Sequence, residues 1–328
     1  MAEPGLLLIR GLGHSGSTIL DLALGAHPQV IGLGEAVRVL DRPRPGEERK
    51  GPQQLRGALR FERHCTCGAL AGDCPVWGPV LAWLPAHDDR PLAEKFNRLI
   101  KPLSSASSSW LVESFQADEQ LLEAQALGRP LRVIQLTRDV RSWVHSESRR
   151  GVERHGRSRV VGWRSLLRWW RVNRRLEQRL AGSGLPVFRL GYEELALAPE
   201  LALRRLCRWL DLDFDDAMLQ PGMHSTSHIV SGNRMRFESG QSEAIRYDAA
   251  WMASSALSLR MAPLLSPVAR LNRRLVYSNR LLESFTDSCC FDTRTNSSPE
   301  GSVEQDHIHC EILEISAELL KVDYNRVG

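Results

Sequence analysis

The chain has no long hydrophobic run. Its first apolar stretch, Leu6 to Ile9, is too short for a membrane span or for the apolar region of an export signal, and no basic segment precedes it. A cytoplasmic chain with no membrane partner is therefore expected. An excess of one charge is also missing. The 43 basic and 39 acidic residues leave a net charge of +4, which does not by itself imply nucleic acid but suits an anionic ligand. The cysteines lack the even count of a secreted disulfide framework: there are 7, at positions 65, 67, 74, 207, 289, 290 and 310. What the chain does have is length and apolar content. With 328 residues, 42% of them hydrophobic, it can build one large α/β domain or two smaller ones.

A lysine is missing from the most informative segment. Gly11-Leu12-Gly13-His14-Ser15-Gly16-Ser17-Thr18 lies between the apolar run and a helical stretch, Thr18 to Leu24. An apolar strand, a glycine turn and a helix start make an anion site, because the backbone approaches closely at glycine and the helix N-terminus presents its amides. The segment nearly spells the triphosphate loop G-x4-G-K-[ST], but Ser17 stands at the lysine position. Without that lysine the loop suits a lone phosphate or diester better than a magnesium triphosphate. The same glycines, Gly11, Gly13 and Gly16, also spell G-x-G-x-x-G, and Glu35 stands roughly 20 residues on, where a dinucleotide site carries its ribose-binding acid. A nicotinamide-dependent oxidoreductase and a non-catalytic nucleotide-binding module are thus the alternative readings.

Further along, Val30-Ile31, Trp110 to Phe115, Leu131 to Leu136 and Pro186 to Leu190 read as strands. Arg141 to Arg149, residues 160–180 and Leu201 to Leu210 read as helices, as does Glu119 to Leu127. Strands alternating with helices predict an α/β fold, a central parallel sheet flanked by helices in three layers. The 160–180 helix carries six arginines around a stripe of Leu166, Trp169, Val172, Leu176 and Leu180, and reads as a solvated face anchored by its tryptophans more than as an acidic-substrate platform. Residues 41–60 read as a surface loop. The cluster His64-Cys65-x-Cys67-x6-Cys74 invites a zinc reading, but C-x-C is tight for one tetrahedral site, so a folded loop of reduced or bridged thiols is favoured.

Arg138 leaves the carboxyl end of the Leu131 strand, and Ser146 follows about two helical turns later, a suitable second phosphate site. With this pair the chain resembles the sulfotransferases that use 3′-phosphoadenosine 5′-phosphosulfate. His14 to Thr18 with Ala26-His27-Pro28 is similar to their phosphosulfate loop and the helix after it. Thr137-Arg138-Asp139-Val140-Arg141 with Ser146 and Arg149 is similar to their 3′-phosphate motif. Tyr192-Glu193-Glu194-Leu195 with Pro199, Leu203, Leu206, Trp209 and Leu210 resembles a third segment. His228 to Phe237, with Arg234 and Arg236, resembles the late loop closing on the nucleotide.

The resemblance covers roughly residues 5–240 and implies a P-loop-like fold and sulfuryl transfer to a hydroxyl or amine of a small-molecule, glycan or peptide acceptor. It implies 3′-phosphoadenosine 5′-phosphosulfate as co-substrate, no metal and no nucleic-acid partner. The nucleotide-binding set is Gly13, His14, Ser15, Gly16, Ser17, Thr18, Arg138, Ser146, Arg234 and Arg236. His14 stands where many members carry Lys or Arg, near the leaving oxygen. Glu35 is the expected base, with Glu113 in reserve. A catalytic domain over 1–280, a polar linker over 281–305 and an amphipathic helix over 306–328 are expected. That last segment resembles the start of a carrier domain and equally suits a helix docking on the core or a partner.

Overall fold

The five apolar segments expected as strands all enter one sheet. The computed structural model describes residues 3–41, 62–103, 108–115, 128–155, 162–232, 244–254, 256, 260 and 262–277. The strands are β1 (Gly5–Gly11), β2 (Val30–Gly32), β3 (Trp110–Glu113), β4 (Leu131–Thr137) and β5 (Val187–Gly191). Every pairing is parallel, in the order β2-β3-β1-β4-β5. The helices among the described residues are α1 (Ser17–Gly25), α2 (Ala36–Leu40), α3 (Trp77–Trp83), α4 (Leu92–Ile100), α5 (Val140–His155), α6 (Gly162–Gly182), α7 (Tyr192–Leu197), α8 (Pro199–Trp209), α9 (Pro221–His224) and α10 (Ser266–Val276). None of the described helices is long and apolar enough to cross a membrane.

Parallel strands covered on both faces read as continuous apolar runs, and β1 is buried at all seven positions. Its alternate side chains feed two cores. Leu6 and Leu8 join Val37, Leu40, Trp77, Val80 and Phe96 from α2, α3 and α4. Leu7 and Ile9 join Ile19, Leu20, Leu195 and Leu203 from α1, α7 and α8. A third core packs α5, α6 and α10 through Trp143, Leu166, Trp169 and Leu271, and it takes in Leu12 of the glycine loop. The arginines of α6 stay outside this stripe. Arg168 pairs with Glu147, and Arg174 lies over the Trp170 ring, as a solvated face requires.

One charge pair runs through the sheet. Arg10 on β1 and Glu113 on β3 are almost fully buried, with Nη1 2.9 Å from Oε2. Glu113 also accepts from the Phe115 amide at 2.9 Å. Buried charges persist only when paired this way, and removing one partner is far costlier than the pair is stabilising.

The chain divides at Leu281 into two units, of which the second, Leu282–Gly328, lies outside the described residues, as do the expected Glu119 to Leu127 helix and most of the 41–60 loop.

Gly191 closes β5 against the end of α10, where a Cβ would collide with the carbonyl of Val276. Gly191→Ala is expected to cost about 1–3 kcal/mol, as overpacking does, read as a lowered midpoint in thermal unfolding.

Candidate active site

Ligands in open parallel sheets bind at the carboxyl ends of the strands, where the strand order reverses. Here that point lies between β1 and β4, whose exits are the glycine loop and Arg138. Residues 12–16 join β1 to α1. His14 has φ 71° and Gly16 φ 91°, both left-handed, and such turns point successive amides into one concavity. Gly16 is the N-cap of α1, and no side chain caps the helix; neither Ser15 nor Ser17 does so. The first-turn amides therefore suit an external anion. Only glycine fits at 16, since a Cβ would stand 2.6 Å from the Tyr192 ring.

The two loops meet through Arg138. Its Nη1 donates to the His14 carbonyl at 3.2 Å, its Nε to Ser142 Oγ at 2.7 Å, and its Nη2 to Asp248 Oδ2 at 2.8 Å. The guanidinium lies 4.7 Å over the Tyr192 ring. Tyr192 OH donates to the Arg246 carbonyl and accepts from the Asp248 amide. The indole of Trp143 donates to the Gly13 carbonyl at 2.8 Å, and that of Trp169 to the Arg138 carbonyl at 3.0 Å. The hydroxyl touching Arg138 is thus Ser142, one turn on; Ser146 is half-buried on the same helix. Ser142, Asp248 and Tyr192 are site residues that the sequence reading did not assign. Ser142 had a usable signal in its spacing of four from Arg138, which places it one helical turn away. Asp248 had none.

Behind Arg138 lies Asp139, fully buried. It accepts from the Arg141 amide, Nε and Nη2, from Asn272 Nδ2 and from Tyr277 OH, all at 2.8–3.0 Å. Burial opposes its charge, yet the Arg141 bonds hold its pKa below the usual value. Its amide donates to Glu193 Oε2 at 2.9 Å, and burial raises Glu193 to about 7.

His14 Nε2 stands 3.9 Å from Glu147 Oε1, which can balance an imidazolium. His27 is structural: buried, with Nε2 2.8 Å from the Asp213 carbonyl and Nδ1 accepting from the Gln29 amide. Glu35 follows β2 as the N-cap of α2. It is partly exposed, accepts from Arg38 Nη1 at 3.0 Å through Oε2, and its amide donates to the Ser231 carbonyl. Glu113 is consumed by the Arg10 pair and is closed to an acceptor. The dinucleotide reading fails on topology. β3 lies between β1 and β2, so Glu35 is not on the strand beside the glycine loop, where the 3-2-1-4-5-6 order puts the ribose acid. Arg234 and Arg236 lie outside the described residues.

One further cluster forms away from the glycine loop. The donor atoms of Cys65, Cys67, Cys74 and His228 all lie within 4.8 Å of one another. The sequence pattern grouped these cysteines with His64, but the histidine that joins them is His228, 154 residues beyond Cys74 and without a spacing signal, while His64 Nδ1 lies 3.2 Å from the Gly68 carbonyl.

Near Glu35, Asp21 of α1 is buried. It accepts from Ser114 Oγ at 2.8 Å. Burial, reinforced by the Glu113 charge, raises its pKa from 3.8 to about 7. The folded chain thus holds this proton more tightly than the unfolded chain. The stability it contributes is complete below about pH 4 and is lost as pH rises through about 7. Asp21→Asn is expected to gain stability relative to the parent across that window, by a few kcal/mol at most at about 1.4 kcal/mol per unit. Denaturant titrations at acidic and neutral pH check this; a parent-to-variant difference that does not change with pH would refute it.

Comparison with known proteins agrees with this geometry. The solved sulfotransferase domain of the Synechococcus PCC 7002 olefin synthase superposes with a TM-score of 0.52 at 18% identity, covering 85% of this chain and 97% of that one. The sulfotransferase domain of the curacin biosynthetic pathway superposes with a TM-score of 0.51 at 18% identity, covering 84% and 99%. A search of curated proteins returns no match. The sequence profile described as "Sulfotransferase family" matches residues 7–216, and the chain belongs to that family.

Proposed function

We propose that the chain transfers a sulfuryl group from 3′-phosphoadenosine 5′-phosphosulfate to a hydroxyl or amine of a small-molecule, glycan or peptide acceptor. The observation that carries this reading is the meeting of the glycine loop and the Arg138 loop at the switch point, with Arg138 Nη1 3.2 Å from the His14 carbonyl. A ligand bearing two separated phosphates needs two such loops side by side. The residues fit it: an uncapped helix start, a glycine-only turn, and an oriented arginine in a lightly exposed setting.

In this reading the amides of residues 14–18, with the hydroxyls of Ser17 and Thr18, hold the 5′-phosphosulfate. Arg138 and Ser146 hold the 3′-phosphate, with Arg234 and Arg236 assisting. His14 donates a hydrogen bond to the bridging oxygen, where charge develops as the sulfur–oxygen bond breaks. Glu35 takes the proton of the acceptor as the new bond to sulfur forms, and adenosine 3′,5′-bisphosphate leaves. By analogy with phosphoryl transfer, the loose transition state leaves the protein mainly positioning and charge stabilisation. The catalytic unit is residues 1–280.

Adenosine 3′,5′-bisphosphate is expected to raise the thermal midpoint where NAD and magnesium ATP do not. Arg138→Ala is expected to weaken bisphosphate binding roughly 10- to 150-fold, the equivalent of about 1.5–3 kcal/mol for a charge-assisted bond; unchanged affinity in calorimetry refutes the assignment. Glu35→Gln is expected to lower turnover about 10²–10⁴-fold, the range of general-base catalysis, with bisphosphate affinity preserved. Wild-type turnover in that variant would move the base elsewhere.

A further inference from the structure

We propose that Cys65, Cys67, Cys74 and His228 form a structural zinc site that fastens the cysteine loop to the segment beside Glu35. The geometry is that of a four-ligand shell. Cys67 Sγ lies 3.8 Å from Cys74 Sγ. His228 Nδ1 lies 3.3 Å from Cys74 Sγ and 3.8 Å from Cys65 Sγ. A tetrahedron with zinc–sulfur bonds near 2.3 Å and zinc–nitrogen bonds near 2.0–2.1 Å has edges of about 3.8 Å between sulfurs and about 3.6 Å between sulfur and nitrogen. The donor set is three thiols and one imidazole, the closed type of structural zinc site, and its softness selects against magnesium and calcium.

The backbone around the sulfurs is arranged as in a thiolate site. Gly68 turns with φ 90°, and its amide donates to the Cys65 carbonyl at 2.9 Å, making the tight loop that lets Cys65 and Cys67 face one point. The Cys67 amide is directed at Cys65 Sγ, and the amides of Val76 and Trp77 are directed at Cys74 Sγ. Donors of this kind orient thiolate ligands and offset their charge. Cys65 and Cys74 are 1% exposed, whereas Cys67 is open to solvent and gives the ion an entry path. Binding zinc would release the three thiol protons to water and leave the histidine neutral, so affinity rises with pH.

The partner segments are far apart in sequence and closely tied in space. Thr66 accepts from the Ile229 amide and donates to the Ser227 carbonyl, and the Trp77 indole donates to the His228 carbonyl at 2.6 Å. From there the chain passes along β2, with the His228 amide on the Gly32 carbonyl and the Ser231 carbonyl on the Glu35 amide. A metal at this point closes a long loop and braces the strand exit that carries Glu35. The tight C-x-C spacing is accommodated by the Gly68 turn, and His228 completes the set of four donors.

The test uses the full chain, isolated under reducing conditions without chelator. Elemental analysis is expected to give one zinc per chain. Replacement by cobalt is expected to give thiolate-to-metal charge-transfer absorption and the visible bands of a tetrahedral ion. His228→Ala and Cys67→Ser are each expected to weaken metal binding at least about 10-fold, while the double change Cys289→Ser with Cys290→Ser leaves the stoichiometry intact. If the ligand variants fail to fold, a chelator-competition titration of the parent with zinc, read together with the cobalt spectrum, decides. A folded, reduced parent that takes up neither metal overturns the proposal. So does a disulfide among Cys65, Cys67 and Cys74 found by mass spectrometry in freshly isolated protein, or a cobalt spectrum lacking thiolate character.

Discussion

The buried carboxylate of Asp139 ties the exit of β4 to the helices packed around it. A fully buried charge in this position is tolerable only because five donors surround it, three from Arg141 and one each from Asn272 and Tyr277. Those donors come from α5, from α10 and from the residue that follows α10. The Val140 amide adds a bond to Asn272 Oδ1 at 2.9 Å. The end of β4 is thereby tied to helices that are remote in sequence, and the direction in which Arg138 leaves the strand follows from that tie. Removing any one donor leaves part of a buried charge uncompensated.

The positions of the two strand-exit loops were legible because the relevant strands are buried on both faces. Leu6 to Ile9 and Leu131 to Leu136 are apolar without alternation, and each runs straight into a punctuating motif, glycines in one case and Thr137-Arg138-Asp139 in the other. Strand existence followed from that pattern, and the helix after each strand followed from periodicity. The strand order did not. Nothing local tells β2 that β3 will insert between it and β1, and that insertion distinguishes this sheet from a dinucleotide fold carrying the same glycines.

Other features were hidden because polar residues stand where periodicity expects apolar ones. Helix α4 buries Lys95, whose ammonium reaches the carbonyl and carboxylate of Asp88, so its inner face does not look continuous in sequence. Helix α10 buries Asn272 between Leu271 and Leu275, again for a polar bond. Its Ser266-Pro267 start and its apolar spacing are helix signals that the sequence reading did not use. Asp248 and His228 belong to a different category. Each acts through a contact made across more than a hundred residues, with no local pattern to announce it.

Arg138 is held from three directions, and two of its anchors, Ser142 and the His14 carbonyl, belong to the frame. The third, Asp248, is a half-exposed carboxylate on a separate segment. The guanidinium is therefore already desolvated, stacked and pointed, and the rotamer entropy of a long side chain is lost during folding instead of on ligand arrival. Asp248 serves as a built-in counter-ion. An anion arriving at Nη2 exchanges one carboxylate for another acceptor, so its advantage is the difference between two ion pairs. Under the proposed function, such an exchange favours a doubly charged group over a singly charged one.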